Sequence, residues 1–195
     1  MLEGLDGSGQ STQVALLKEL LLSQGREVVS TKEPTVNGSS VSQQIRDILD
    51  KKVKADPAQL QELFAQDRRE HLDNLIIPAL KEGKFVISDR YFFSSFAYGS
   101  SDGLDLEWLM KINDEFLIPD ATFLLKVSPA VCVDRIQKRG KEVTLFEVED
   151  KLKKVWENYS LLPSRLPNVY IVNGEKTIEE VFAEINKLVL LKLKL

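Results

Sequence analysis

The chain has 195 residues, 43% of them hydrophobic and 29% charged, with a net charge of −4. This suits one well-buried domain and argues against a membrane span, since no apolar run approaches the ~20 residues that cross a bilayer. The acidic balance argues against a nucleic-acid-binding surface, and the single cysteine, Cys132, excludes an internal disulfide and supplies no metal cluster.

In chain order, the first strand is expected at Met1–Glu3. That is shorter than the usual ~5 residues, which leaves open whether residues precede Met1. No leader pattern of charge followed by apolar residues is visible. Residues 11–24 carry Val14, Leu16, Leu17, Leu20 and Leu21 at helical spacing, with Gly25 as the stop. EVVSTK (27–32) reads as a strand, and 41–49 as a helix with Val41, Ile45, Ile48 and Leu49 on one face. Asp56-Pro57 reads as an N-cap and first-turn proline, opening a long helix toward Leu80 that is interrupted near Pro78. FVIS (85–88) is a strand, 104–117 a helix and 121–127 a strand. Ser128-Pro129 opens a helix to about Arg139, 147–162 is helical, 169–172 a strand, and a terminal helix starts at Thr177. Cys132, in SPAVCVDRI, reads as a small buried apolar residue. The alternation predicts one α/β domain over 1–195, with a mainly parallel five-stranded sheet, helices on both faces and ligands outside the C-terminal strand ends.

The stretch GLDGSGQST (4–12) lies between the first strand and the first helix. The phosphate-cradling pattern G-x-x-x-x-G-K-[ST] is met by Gly4, Gly9 and Ser11, but Gln10 stands where lysine belongs. The backbone N–H groups of Gly7, Ser8 and Gly9 and the following helix N-terminus would form an anion-binding concavity whatever residue 10 is. Ser11 would offer its hydroxyl to Mg²⁺, and Thr12 would hydrogen-bond a phosphate. Gln10 keeps a neutral hydrogen bond, roughly half as strong as a charge-assisted one. A plain glycine turn before a helix remains the alternative.

Three further stretches bear on that choice. In SDRYFFSSFAYG (88–99), Asp89 and Arg90 follow a strand, where an acid can hold Mg²⁺ through water and an arginine can grip a phosphate. A surface ion pair is the ordinary reading of a lone Asp-Arg. In LFAQDRREH (63–71), Phe64 and Arg68 share a helical face, so ring and guanidinium can stack on a base and bond its edge, or serve as core and solvated face. In VDRIQKRGK (133–141), Arg135, Lys138, Arg139 and Lys141 either complement a helix C-terminus or form a lid of cations over a nucleotide. The sole histidine, His71, is expected to be a partly exposed helix residue.

These motifs resemble the thymidylate kinase family over nearly the whole chain. The match includes E-G-L-D-G-S-G-x-S-T-Q at 3–13, K-E-P at 32–34, L-F-x-x-D-R at 63–68, S-D-R-Y-x-x-S-x-x-A-Y at 88–98 and R-I-x-x-R-G at 135–140. The resemblance implies a three-layer P-loop NTPase-type fold, a lid at about 139–147, and transfer of the ATP γ-phosphoryl to dTMP with Mg²⁺. It also implies a cytoplasmic homodimer without nucleic-acid or membrane partners. By position, Gly7, Ser8, Gly9, Gln10, Ser11, Thr12, Arg135 and Arg139 would bind ATP. Asp6, Pro34, Phe64, Arg68, Arg90, Ser95, Tyr98 and Tyr159 would bind dTMP, and Ser11 and Asp89 would serve the metal. Asp6, Gln10, Arg90, Arg135 and Arg139 would carry catalysis. Tyr159 is expected against the sugar, where a 2′-hydroxyl would otherwise fit.

The chain departs from the family pattern at Gln10, at Gly99 where glutamine or serine is frequent, and at Thr144-Leu145 in the lid. Gly7 stands where some members carry an arginine. Two other readings follow: a kinase for another pyrimidine monophosphate, or a nucleotide-binding protein with impaired catalysis.

Overall fold

The computed structural model describes residues 1–36, 38–138 and 149–193. Strand β1 (Leu2–Gly4) leads through the glycine-rich loop into α1 (Gln10–Ser23), followed by β2 (Val28–Lys32), α2 (Ser40–Leu49) and α3 (Pro57–His71). Asp56 caps α3 by accepting from the Ala58 N–H, and Pro57 occupies the first turn, as the sequence indicated. A π-helical turn, Leu72–Ile76, then joins α3 to α4 (Ile77–Lys81), with the Ile77 N–H reaching back to the Leu72 carbonyl. Pro78 has no N–H to continue the regular ladder, so the interruption falls just before it.

Next come β3 (Phe85–Asp89), α5 (Phe92–Ser101), α6 (Leu106–Lys111), β4 (Thr122–Lys126), α7 (Pro129–Lys138), α8 (Glu149–Leu161), β5 (Val169–Asn173) and α9 (Ile178–Leu193). Two elements correct the sequence reading. Helix α5 was not expected. Helix α6 covers only part of 104–117, because the Asn113 side-chain amide donates to the Leu109 carbonyl at 2.8 Å and takes the acceptor that the next backbone N–H would use.

The strands form one sheet in the order β2-β3-β1-β4-β5, and every pair is parallel. On one face α1 and α9 close over Leu2, Ile87, Phe123, Leu125 and Val172, contributing Leu17, Leu21, Ile185 and Val189. On the other, α5 and α8 bury Phe92, Phe96, Leu152, Val155 and Tyr159 against Leu124. Helices α2 and α3 add a smaller cluster, Val41, Ile45 and Leu60, beside the C-terminal strand ends. Residues 139–148, which hold the expected lid with Arg139, Lys141, Thr144 and Leu145, lie outside the described residues.

Leu124 is fully buried between β4 and the α5–α8 layer. Leu124→Ala should destabilise the fold by about 2–5 kcal/mol, read as a lower urea midpoint at unchanged m-value.

Candidate active site

The glycine-rich loop adopts backbone that ordinary side chains disfavour. Gly4, Gly7 and Gly9 have φ of 150°, 85° and 102°, in or beyond the left-handed range that glycine reaches without steric cost. Space is tight as well: a Cβ at Gly7 would lie 2.7 Å from the Cys132 carbonyl oxygen of α7, and one at Gly4 would lie 2.8 Å from Ser8 Oγ. An arginine at position 7 is therefore incompatible with this packing. Ser8 N–H bonds the Leu5 carbonyl at 3.0 Å, which closes the loop before α1 begins.

Gln10 does not extend outward. Its side chain is buried, with Nε2 donating to the Gly4 carbonyl at 3.0 Å and Oε1 accepting from Ser8 Oγ at 3.2 Å. Both polar ends are used within the loop, so the amide braces the cradle here rather than offering itself to a phosphate. Ser11 is exposed, and its Oγ donates to Asp89 Oδ2 at 2.6 Å. Lys32, at the end of β2, brings its ammonium to 3.5 Å from the same carboxylate oxygen. Arg135 of α7 reaches the loop, with Nη1 donating to the Ser8 carbonyl at 3.4 Å and Nη2 to the Gly174 carbonyl at 3.1 Å. Lys138 instead pairs with Asp134 on the exposed side of its helix.

Arg90 occupies the seam between β3 and α5 with φ 74°, an uncommon conformation for a residue with a side chain. Its backbone is pinned by N–H donation to Leu2 O and by acceptance from Ser88 Oγ at 2.6 Å. Its guanidinium donates to Asp6 Oδ1 at 2.5 Å, to Gly4 O at 3.0 Å and to Ser94 Oγ at 2.9 Å, and lies over the Tyr98 ring. Tyr98 OH donates to Asp6 Oδ2 at 2.8 Å. Beneath this group sits Glu3, fully buried in β1, accepting from Tyr91 N–H, Ser94 Oγ and Tyr159 OH at 2.7 to 2.9 Å. Burial pushes the Glu3 carboxyl up from its ordinary pKa, against the opposing pull of Arg90 and these hydrogen bonds.

Facing Arg90 is a cavity of about 370 Å³ between α2, α3 and α5. Asp6, Pro34, Phe64, Arg68, Arg90, Ser95 and Tyr98 all line it. Phe64 is half-buried, and Arg68 is 3% exposed. The Arg68 guanidinium donates to Glu33 Oε2 at 2.7 Å, Asn113 Oδ1 at 2.5 Å and Ser95 Oγ at 3.3 Å. It is wedged against the rings of Tyr91 and Phe116. With five N–H groups and three in use, it keeps two donors for a ligand. Asp67 fixes the wall after Pro34 by accepting from Thr35 N–H and Oγ1.

The structure thus gathers most of the residues that the motifs singled out, and it moves two. Tyr159 is fully buried behind Arg90, bonded to Glu3 and Ser94, and is not on the cavity wall. His71 is buried rather than partly exposed, at 4%. It bridges Thr31 Oγ1 at 2.6 Å and Glu33 Oε1 at 3.1 Å, so it stands behind the carboxylate that holds Arg68. Cys132 is buried as expected, and burial pushes its thiol up to about 12. The roles of Glu3, Lys32 and Asn113 went unread. An acid inside an apolar strand was the one available signal for Glu3; the other two acquire theirs only from neighbours distant in sequence.

Gly7→Ala must open the contact with α7 and hold a strained φ. It should destabilise the protein by roughly 1–3 kcal/mol, measured by thermal unfolding.

Comparison with known proteins comes down on the side of the motifs. The family model described as thymidylate kinase matches residues 2–185. A probable thymidylate kinase of Pyrococcus horikoshii is 40% identical over 194 residues, covering 97% of this chain and 94% of its own. One of Thermococcus onnurineus is 41% identical over 197 residues, covering 97% and 95%. A thymidylate kinase of Clostridium novyi is 39% identical over 195 residues, covering 94% of both chains. The match over nearly the whole chain, at about 40% identity to these relatives, shows that the chain belongs to the thymidylate kinase family.

Proposed function

We propose that this protein transfers the γ-phosphoryl group of ATP to dTMP, giving dTDP and ADP. The observation that carries the reading is Arg90, held between the phosphate loop and the cavity lined by Phe64 and Arg68. An oxygen of the dTMP phosphate attacks the γ-phosphorus as the bond to the β-phosphate oxygen breaks. The nucleophile is already anionic, so no general base is needed. Catalysis is then positioning and charge neutralisation. The loop amides and Arg135 hold ATP, Arg90 orients the acceptor phosphate, and Phe64 and Arg68 seat the base. Arg139 and the lid would close over ATP and exclude water.

Mg²⁺ fits this site. It favours oxygen ligands, keeps several waters and needs only one or two protein donors beside a substrate phosphate. Ser11 Oγ and Asp89 Oδ2, 2.6 Å apart at the loop, are such a pair. Bound there, the ion would neutralise charge on the phosphates. Lys32, beside Asp89, adds a cation on the side from which Gln10 has withdrawn one. The family resemblance further supports a cytoplasmic homodimer, and among the described residues no helix is long and apolar enough to cross a membrane.

A coupled ADP-release assay over a panel of monophosphates with ATP and Mg²⁺ should show the highest kcat/KM with dTMP; a purine preference would overturn the reading. In that assay Arg90→Ala should lower kcat/KM by about 10²–10³-fold, as for loss of one transition-state donor. Gln10→Lys should change turnover while leaving dTMP affinity near that of the wild type. A wild type inactive toward every acceptor, rescued by Gln10→Lys, would make it a nucleotide-binding protein instead.

A further inference from the structure

One residue of the acceptor cavity has no assigned task. Gln61 precedes Phe64 and Arg68 on the same face of α3, at i, i+3 and i+7, and all three line the cavity. Its side chain is 2% exposed, and its Oε1 is buried with no hydrogen-bond partner among the described residues. A buried carbonyl oxygen left unpaired costs free energy, and native proteins rarely tolerate one without a reason. Three nearby carboxylates are engaged elsewhere. Glu33 is held by Arg68 and His71, Asp67 by Thr35, and Asp6 by Arg90 and Tyr98.

The packing makes room for this amide. A Cβ at Gly99 of α5 would lie 3.3 Å from Gln61 Cδ and 2.9 Å from both δ-carbons of Leu109. The missing side chain at 99 leaves the space into which Gln61 reaches from the facing helix.

We propose that the Gln61 carboxamide binds the imide edge of the acceptor's base and so helps set acceptor specificity; this rests on reading the cavity as the dTMP site. The imide presents an N–H donor between two carbonyl acceptors. Arg68, which only donates, can serve a carbonyl but never the N–H. An amide supplies the missing acceptor, and the broad two-fold preference of its last torsion lets it turn its oxygen to the base.

The test uses two probes, dTMP and its N3-methyl derivative, with the wild type and Gln61→Leu. The wild type should disfavour the N3-methyl compound by roughly ten-fold or more in KM, the size expected for one hydrogen bond. Gln61→Leu should raise the KM for dTMP by a similar factor and largely abolish that discrimination. Its kcat and KM for ATP should stay near the wild-type values, and its Tm should not fall, because leucine removes a buried carbonyl oxygen that has no partner. A purely structural Gln61 would instead lower Tm and leave KM unmoved, which overturns the proposal. So does a wild type that accepts both compounds equally, a result needing no variant, or a methyl penalty that persists undiminished in Gln61→Leu. A wild type that phosphorylates only other acceptors defeats the dTMP reading itself.

Discussion

The guanidinium of Arg90 joins the parts of this molecule that a phosphotransferase must hold together. It takes up the Gly4 carbonyl and Asp6 of the phosphate loop, Ser94 of α5 and the face of Tyr98, and lies 3.4 Å from the hydroxyl of Tyr159 on α8. Its side chain is 11% exposed, so the cation is largely out of water and depends on these partners. Directly below, Glu3 brings a carboxyl group into the central strand and holds the start of α5 through Tyr91 N–H and Ser94 Oγ. Arg90 favours the ionised form of Glu3, against the larger effect of burial. Together the two side chains lock the loop, two strands and two helices into one register before any nucleotide arrives.

That arrangement explains how the loop accommodates glutamine in place of lysine. The geometry of the cradle comes from three glycines and from close packing against α7, not from residue 10. Gln10 takes a different task and ties the Gly4 carbonyl to Ser8. Positive charge is instead spread around the crevice: Arg90 beside the cavity, Arg135 on the loop carbonyl, and Lys32 at the Asp89 carboxylate. Transition-state charge in phosphoryl transfer is delocalised over several oxygens, so a distributed set of cations can meet it.

The acceptor side is built on a second chain of contacts. His71 backs Glu33, Glu33 holds Arg68, and Arg68 is fixed from the far side by Asn113 and Ser95. Each member is at most 4% exposed, so the guanidinium on the cavity wall is oriented by groups drawn from four separate segments. Orientation of this kind is what distinguishes a seat for a planar ring from a generic apolar pocket.

The amino-acid sequence by itself determined the α/β alternation, because β-branched runs and helical spacing alternate along the chain and capping residues such as Asp56 act locally. It also placed the loop, Asp89-Arg90 and the Phe64–Arg68 pair, since each is a short-range pattern carried on one element. Helix α5 was invisible because most of its residues are buried, which erases the polar face that marks a helix, and because the group that holds the N–H of its N-cap residue, Tyr91, is Glu3, 88 residues away. The truncation of α6 was decided by Asn113, whose carbonyl is claimed by Arg68. The burial of His71 and Tyr159 was likewise settled by partners distant in sequence, Glu33 and Glu3. Local propensity and spacing speak for single elements; which polar group meets which across the fold is decided only when buried donors and acceptors must all find partners at once.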